Sequence, residues 1–148
     1  MNWIIKNFDS LTREELYEIL RLRSEIFVIE QNCVFQDLDE KDFVALHLFL
    51  KDDKNKKIKA YARLFRPGDY YFHASIGRVA VKKEYRSTGL GHQLMKKAIE
   101  EIENYFQTKP IKIGAQLYLK EFYESHDFKQ IDDEYLEDGI LHIHMIRK

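Results

Sequence analysis

The alternation of apolar and polar positions divides the chain into short strands and two strongly periodic helices. Trp3-Ile4-Ile5-Lys6-Asn7-Phe8 opens as a strand. Leu16, Ile19, Leu20, Leu22, Ile26 and Phe27 then recur at helical intervals behind a cap at Ser10 or Thr12, with Glu15 placed to complete a capping box on Thr12. The segment from Gln31 to Asp42 is irregular and acidic, carrying Asp37, Asp39, Glu40 and Asp42. Leu46 to Leu50 and Ile58 to Phe65 form two strand candidates joined by the polar turn Lys51 to Lys57, which is the pattern of a hairpin. After the turn Pro67-Gly68-Asp69, the β-branched run Ser75-Ile76-Gly77-Arg78-Val79-Ala80-Val81 continues an antiparallel meander.

The second helix is the longer one. Leu94, Met95, Ala98, Ile99, Ile102, Tyr105 and Phe106 mark one face, while Lys96, Lys97, Glu100, Glu101 and Glu103 fill the other. Pro110 opens a short strand from Ile111 to Ala115, and a shorter helix follows from about Leu119 to Ser125. A strand from Lys129 to Leu136, the turn Asp138-Gly139 and a strand from Ile140 to Ile146 close the chain. The order β-α-β-β-β-α-β-α-β-β is a mixed α/β arrangement, and strands apolar on both sides need helices on both faces of the sheet.

Composition narrows the class. A chain of 148 residues is expected to form one domain, residues 1–148, with a core large enough to support it. Apolar content of 45% excludes disorder, and a net charge of −1 removes the electrostatic case for nucleic acid or an anionic membrane as partner. Cys33 is the only cysteine, so no internal disulfide forms. Met1 to Phe8 lacks the features of a signal peptide and no run has the length of a membrane span, so a cytoplasmic location is expected.

Chemistry concentrates in Arg86-Ser87-Thr88-Gly89-Leu90-Gly91, which lies between a buried-type strand and the start of the long helix. Gly89 and Gly91 permit close approach of a ligand to the backbone, and the first amides of the helix carry the positive end of its dipole. Such a corner suits a phosphate or pyrophosphate. The glycine order matches neither Gly-x-x-x-x-Gly-Lys-[Ser/Thr] nor Gly-x-Gly-x-x-Gly, which excludes the common nucleotide loops.

The element order, the Arg-x-x-Gly-x-Gly and Phe122-Tyr123-Glu124 resemble the GNAT superfamily of acyl-CoA-dependent N-acetyltransferases. A narrower resemblance, to its ElaA-type branch, is carried by several further motifs. These are Leu22-Arg23, Phe27-Val28, Glu30-Gln31-Asn32-Cys33, Ala60-Tyr61-Ala62-Arg63, Ile76-Gly77-Arg78-Val79, Gly114-Ala115-Gln116, Asp138-Gly139-Ile140 and His142-Ile143. The resemblance implies acetyl-CoA as cofactor and a sheet splayed between its fourth and fifth strands. It places the pyrophosphate on Arg86, Ser87, Thr88, Gly89, Leu90, Gly91 and His92, with Leu90 and His92 offering main-chain amides. The pantetheine arm falls to the backbone of Val79 and Val81, and an amide near Val79 serves the oxyanion.

The implied reaction moves two protons. At pH 7 an amine of pKa ~10.4 is neutral in about one molecule in 2500, a penalty of roughly 4.6 kcal/mol, so a base or a desolvating site is required. The departing thiolate needs an acid. Tyr123 matches the family's tyrosine for that step, and a phenol keeps its proton until a thiolate forms. Where the family follows this helix with Gly-Phe, this chain has Asp127-Phe128, a residue less suited than glycine to a left-handed cap, so the helix end and the aim of Tyr123 are expected to differ from the family's. His142 matches the branch motif and is the preferred base over His144, which shares its face of the last strand.

For the acceptor, the resemblance points to the first helix, the loop after it and the last strands, selecting Arg23, Glu30, Gln31 and Arg78. The acidic loop favours a cationic amine and the arginines favour an anion; Arg23, Arg63 and Arg78 are equally accounted for by internal ion pairs. The expected partner is a small-molecule or peptide amine, and a homodimer is compatible with the family. A non-catalytic acyl-CoA sensor, or a phosphate- or partner-binding domain, would use the same loop without needing Tyr123. The motifs beyond the loop favour the enzyme.

Overall fold

The structure is a computed structural model and describes residues 2–148. Strands β1 (Trp3–Asn7), β2 (Leu46–Lys51), β3 (Ile58–Phe65) and β4 (Ser75–Val81) form an antiparallel sheet in that order. A second antiparallel sheet is built on β8 (Ile140–Arg147), which pairs with β5 (Ile111–Gln116), β6 (Lys129–Gln130) and β7 (Tyr135–Glu137). The helices are α1 (Arg13–Arg23), α2 (Leu90–Phe106) and α3 (Lys120–Glu124).

Local sequence accounts for most of these boundaries. Thr12 and Glu15 form the reciprocal capping box at the start of α1, with Glu15 N–H donating to Thr12 Oγ1 at 3.0 Å and Thr12 N–H to Glu15 Oε1 at 2.9 Å. The period-two alternation of β2 and β3 divides the core. Leu48, Leu50, Ala60, Ala62 and Leu64 pack with Leu94, Met95, Ala98 and Ile102 of α2. On the opposite face, Phe49, Ile58 and Tyr61 pack with Ile19 and Leu22 of α1 and with Ile26. The strands are therefore buried on both faces, as their apolar content predicts.

Two elements differ from the sequence pattern. The expected strand from Lys129 to Leu136 is two short strands, because the acidic stretch Asp132-Asp133-Glu134 leaves the ladder and Asp132 bonds locally. Its carbonyl accepts from Gln130 Nε2 at 2.7 Å and its carboxylate contacts His144 Nδ1 at 3.2 Å. The first helix does not run on as an α-helix through Ile26 and Phe27; Ser24–Glu30 continues α1 as a π-helix. Such segments are rare and often lie at functional sites.

Among the described residues, the two sheets pair only at one point. Ala74 and Ile111 form an isolated parallel bridge, Lys112 N–H donates to Ala74 O at 2.9 Å, and β4 and β5 share no ladder beyond it. This is the splay that the sequence resemblance implied. Unpaired backbone along the gap lines a cleft.

Candidate active site

A cleft of about 1060 Å³ opens between β4 and β5. One wall carries Val79, Val81, Arg86, Ser87, Gly89, Gly91 and His92, and the other elements bring in Glu30, Gln31, Arg78, Tyr123 and His142. Residues distant in sequence thus converge on one surface. Thr88 and Leu90 do not line it: Thr88 Oγ1 donates to Tyr85 O at 2.6 Å, and Leu90 is buried in the core. Neither side chain therefore faces the cleft.

The start of α2 differs from that of α1 in two chemical respects. Gly89 caps it with φ 86° and offers no side-chain hydrogen bond, and the first turn holds no acid. The leading amides are therefore left for an external anion. Ser87 also adopts a left-handed conformation, φ 63°, and the side-chain position absent from Gly89 has nothing within 4 Å. A Cβ at Gly91 would lie 3.6 Å from the Phe122 ring, an ordinary contact distance, so the helix start packs beside α3. These features fit a diphosphate.

Side chains around this corner are already partnered. Arg86 Nε donates to Val81 O at 2.9 Å, and both terminal nitrogens engage the Glu30 carboxylate, with Nη2 to Oε2 at 2.9 Å. The bond to Arg86 holds the Glu30 carboxyl below its ordinary range. His92 Nδ1 lies 2.9 Å from His126 Nε2, and burial followed by the neighbouring His92 pushes the His126 imidazole down.

β4 carries a bulge that the alternation of its sequence did not reveal. Its pairing with β3 steps from Tyr61–Ala80 to Arg63–Gly77, so Ala62 alone faces Arg78 and Val79. Arg78 takes φ 48°, a left-handed conformation that costs a branched or long side chain roughly 1–3 kcal/mol. It is held there by Asp37, whose Oδ1 accepts from Arg78 Nε at 2.8 Å and whose carbonyl accepts from Nη2 at 3.1 Å. A bulge removes backbone groups from the ladder, and here it does so beside Val79, on the cleft wall.

Tyr123 is 7% exposed, packed edge-on against Phe122 and Phe128, and faces the cleft. Burial, with a smaller contribution from Tyr118, raises its phenol above the ordinary value. Asp127 closes the end of α3 as glycine would. It takes φ 69°, its N–H donates to Glu124 O at 3.0 Å, and Phe128 N–H donates to Tyr123 O at 3.2 Å. The aspartate thus leaves the cap geometry intact.

His142 Nδ1 lies 2.8 Å from Ile140 O. A carbonyl only accepts, so Nδ1 donates and Nε2 carries the lone pair of the neutral ring. Nε2 is 3.6 Å from Glu137 Oε2, and the ring stacks on Tyr135. His144 pairs with Asp132 and is not part of the cleft lining, which separates the two histidines.

The arginines of the acceptor side are consumed by the acidic loop. Arg23 is fully buried, with Nε on Asp37 at 2.9 Å and Nη1 on Asp42 at 2.7 Å, and it does not line the cleft. Its expected role in substrate contact is therefore replaced by a structural one: no face of its guanidinium reaches a ligand. Arg63 pairs with Asp39 at 2.6 Å and Asp42 at 3.0 Å. Burial opposes ionisation of Asp39, but Arg63 overcomes it and brings the carboxyl to about 2. Glu30, Gln31 and Arg78 do line the cleft; Gln31 exchanges reciprocal amide bonds with Gln116 at 3.1 and 3.3 Å.

Sequence reasoning missed the aromatic lining. Tyr71 and Tyr135 bring their hydroxyls to 3.0 and 2.9 Å of the position a Cβ on Gly114 would take. Burial, then Glu137, pushes Tyr135 up to about 12. The only local signals were a tyrosine in a turn and another in an interrupted strand, neither of which specifies a cleft.

Comparison with known proteins agrees with this geometry. Residues 28–148 match the family model described as an acetyltransferase (GNAT) domain. Protein ElaA of Escherichia coli is 37% identical over 148 residues, covering 100% of this chain and 97% of the relative. An acyl-CoA N-acyltransferase from Pseudomonas aeruginosa superposes with a TM-score of 0.92 at 38% identity, over 100% of both chains. The crystal structure of Escherichia coli ElaA gives a TM-score of 0.89 at 36% identity, again over 100% of both. With its splayed sheets, its uncapped α2 and full-length similarity to these relatives, the chain belongs to the GNAT acetyltransferase family and is ElaA-like within it.

Proposed function

We propose that the protein is an N-acetyltransferase that moves an acetyl group from acetyl-CoA to a primary amine by direct attack within a ternary complex. The observation that carries this reading is the uncapped start of α2 opening onto the gap between β4 and β5. The Pseudomonas aeruginosa relative, an acyl-CoA N-acyltransferase, supports it.

Amides from Ser87 to His92 hold the pyrophosphate, and the backbone of Val79 and Val81 holds the pantetheine arm across the splay. Bound acetyl-CoA supplies an activated thioester carbonyl. The bulge at Arg78 and Val79 frees a backbone donor to stabilise charge on that oxygen. His142 Nε2 accepts the proton of the amine, while Nδ1 stays fixed on Ile140 O. Tyr123, its phenol raised by burial, keeps a proton for the sulfur until a thiolate develops. The acceptor is a small-molecule or peptide amine that enters past Glu30, Gln31 and Arg78.

The test has two stages. Saturating acetyl-CoA should raise the Tm of the full chain; no shift sinks the coenzyme reading. Thiol release during a screen of primary amines should then identify acceptors, whereas stabilisation without release from any amine supports the acyl-CoA sensor.

A further inference from the structure

Arg86 is the only cationic side chain in the loop from Arg86 to Gly91, and the structure shows it committed to another part of the protein. Its Nε donates to Val81 O, and both terminal nitrogens engage the carboxylate of Glu30. Glu30 ends the π-helical segment, and both residues line the same cleft. We propose that Glu30 occupies, in the free protein, the place on Arg86 that the diphosphate of an acyl-CoA takes, so that coenzyme binds by exchanging one anion for another on a single guanidinium. This rests on the acyl-CoA reading of the loop.

Exposure of the pair and the chemistry of a diphosphate make the exchange favourable. Both side chains are about one-third exposed, 37% for Arg86 and 34% for Glu30, so the pair is reached by water and worth little. A diphosphate offers the same bidentate geometry with more negative charge, and it would gain the α2 amides at the same time. Glu30 beside that diphosphate is a like-charge neighbour and has to leave. The adjacent Gln31 remains tied to Gln116, which keeps the freed carboxylate at the cleft. The Glu30 carboxylate is thus without its arginine partner only when coenzyme is in place.

The experiment is calorimetric titration of coenzyme A into the full chain, as wild type, Glu30→Gln and Arg86→Gln. Glu30→Gln should bind coenzyme A about two- to fivefold more tightly, because the competing anion is gone, and Arg86→Gln should bind it more weakly. In ¹³C-labelled protein, the titration midpoint of Glu30 should rise on addition of coenzyme A. Equal or weaker binding by Glu30→Gln overturns the exchange, as does an unchanged Glu30 midpoint. Wild-type protein that does not bind coenzyme A overturns the acyl-CoA reading itself; wild-type binding without the gain in Glu30→Gln overturns only the exchange.

Discussion

Asp37 Oδ1 accepts a hydrogen bond from Arg78 Nε at 2.8 Å, and through it a buried loop carboxylate holds a β4 residue at φ 48°. The other oxygen, Oδ2, accepts from the fully buried Arg23 at 2.9 Å. Asp37→Asn leaves Arg23 with half its compensation, a change worth about 3–5 kcal/mol at buried pairs. The expected result is a fall in Tm on the order of 10 °C. A loss of a degree or less in a thermal melt would show that the network does not hold the bulge.

Glu15 predicts an acid limb of stability. Burial raises its pKa, but the Thr12 amide, Lys6 and Lys51 overcome this and bring it from 4.5 to about 2. A depressed folded value stabilises above the unfolded pKa and is lost as pH falls, here between about 4.5 and 2. Glu15→Gln keeps an acceptor for the capping box without the charge. Denaturant unfolding should find it less stable than wild type at pH 7, with the difference shrinking toward pH 2; a constant difference across that range would refute the linkage.

Tyr123→Phe removes the hydroxyl and retains the ring against Phe122 and Phe128. With an acceptor from the amine screen, turnover should drop by about 10²–10⁴ while coenzyme A affinity stays within about twofold. Turnover equal to wild type would remove Tyr123 as the acid.

His142→Gln is expected to lower kcat/KM and to abolish the acid limb of its pH profile, because Nε2 no longer takes the proton of the amine. If the limb persists, the imidazole serves only to pack on Tyr135, and the base lies elsewhere.

Much of the fold was legible because its signals are short in range. The capping box spans Thr12 to Glu15, β2 and β3 alternate at every second residue, and the glycine-bearing loop sits directly before the stripe of α2. The motifs from Leu22 to Ile143 added the family, and with it the splay. Less was legible at Lys129 to Leu136, where β propensity predicted one strand and three consecutive acids broke it.

The sequence by itself determined most of the helices and strands, and that a glycine-bearing helix start follows β4, because periodicity and capping act within about four residues. Only the tertiary structure decided the rest. Arg23 finds Asp37 across 14 residues, Arg78 finds Asp37 across 41, and Arg86 finds Glu30 across 56. Those pairings choose the bulge in β4, take Arg23 away from the cleft and place Glu30 on Arg86, at the start of the glycine-bearing loop. No local pattern encodes them, since a charge selects its partner by distance in space after the sheets have packed.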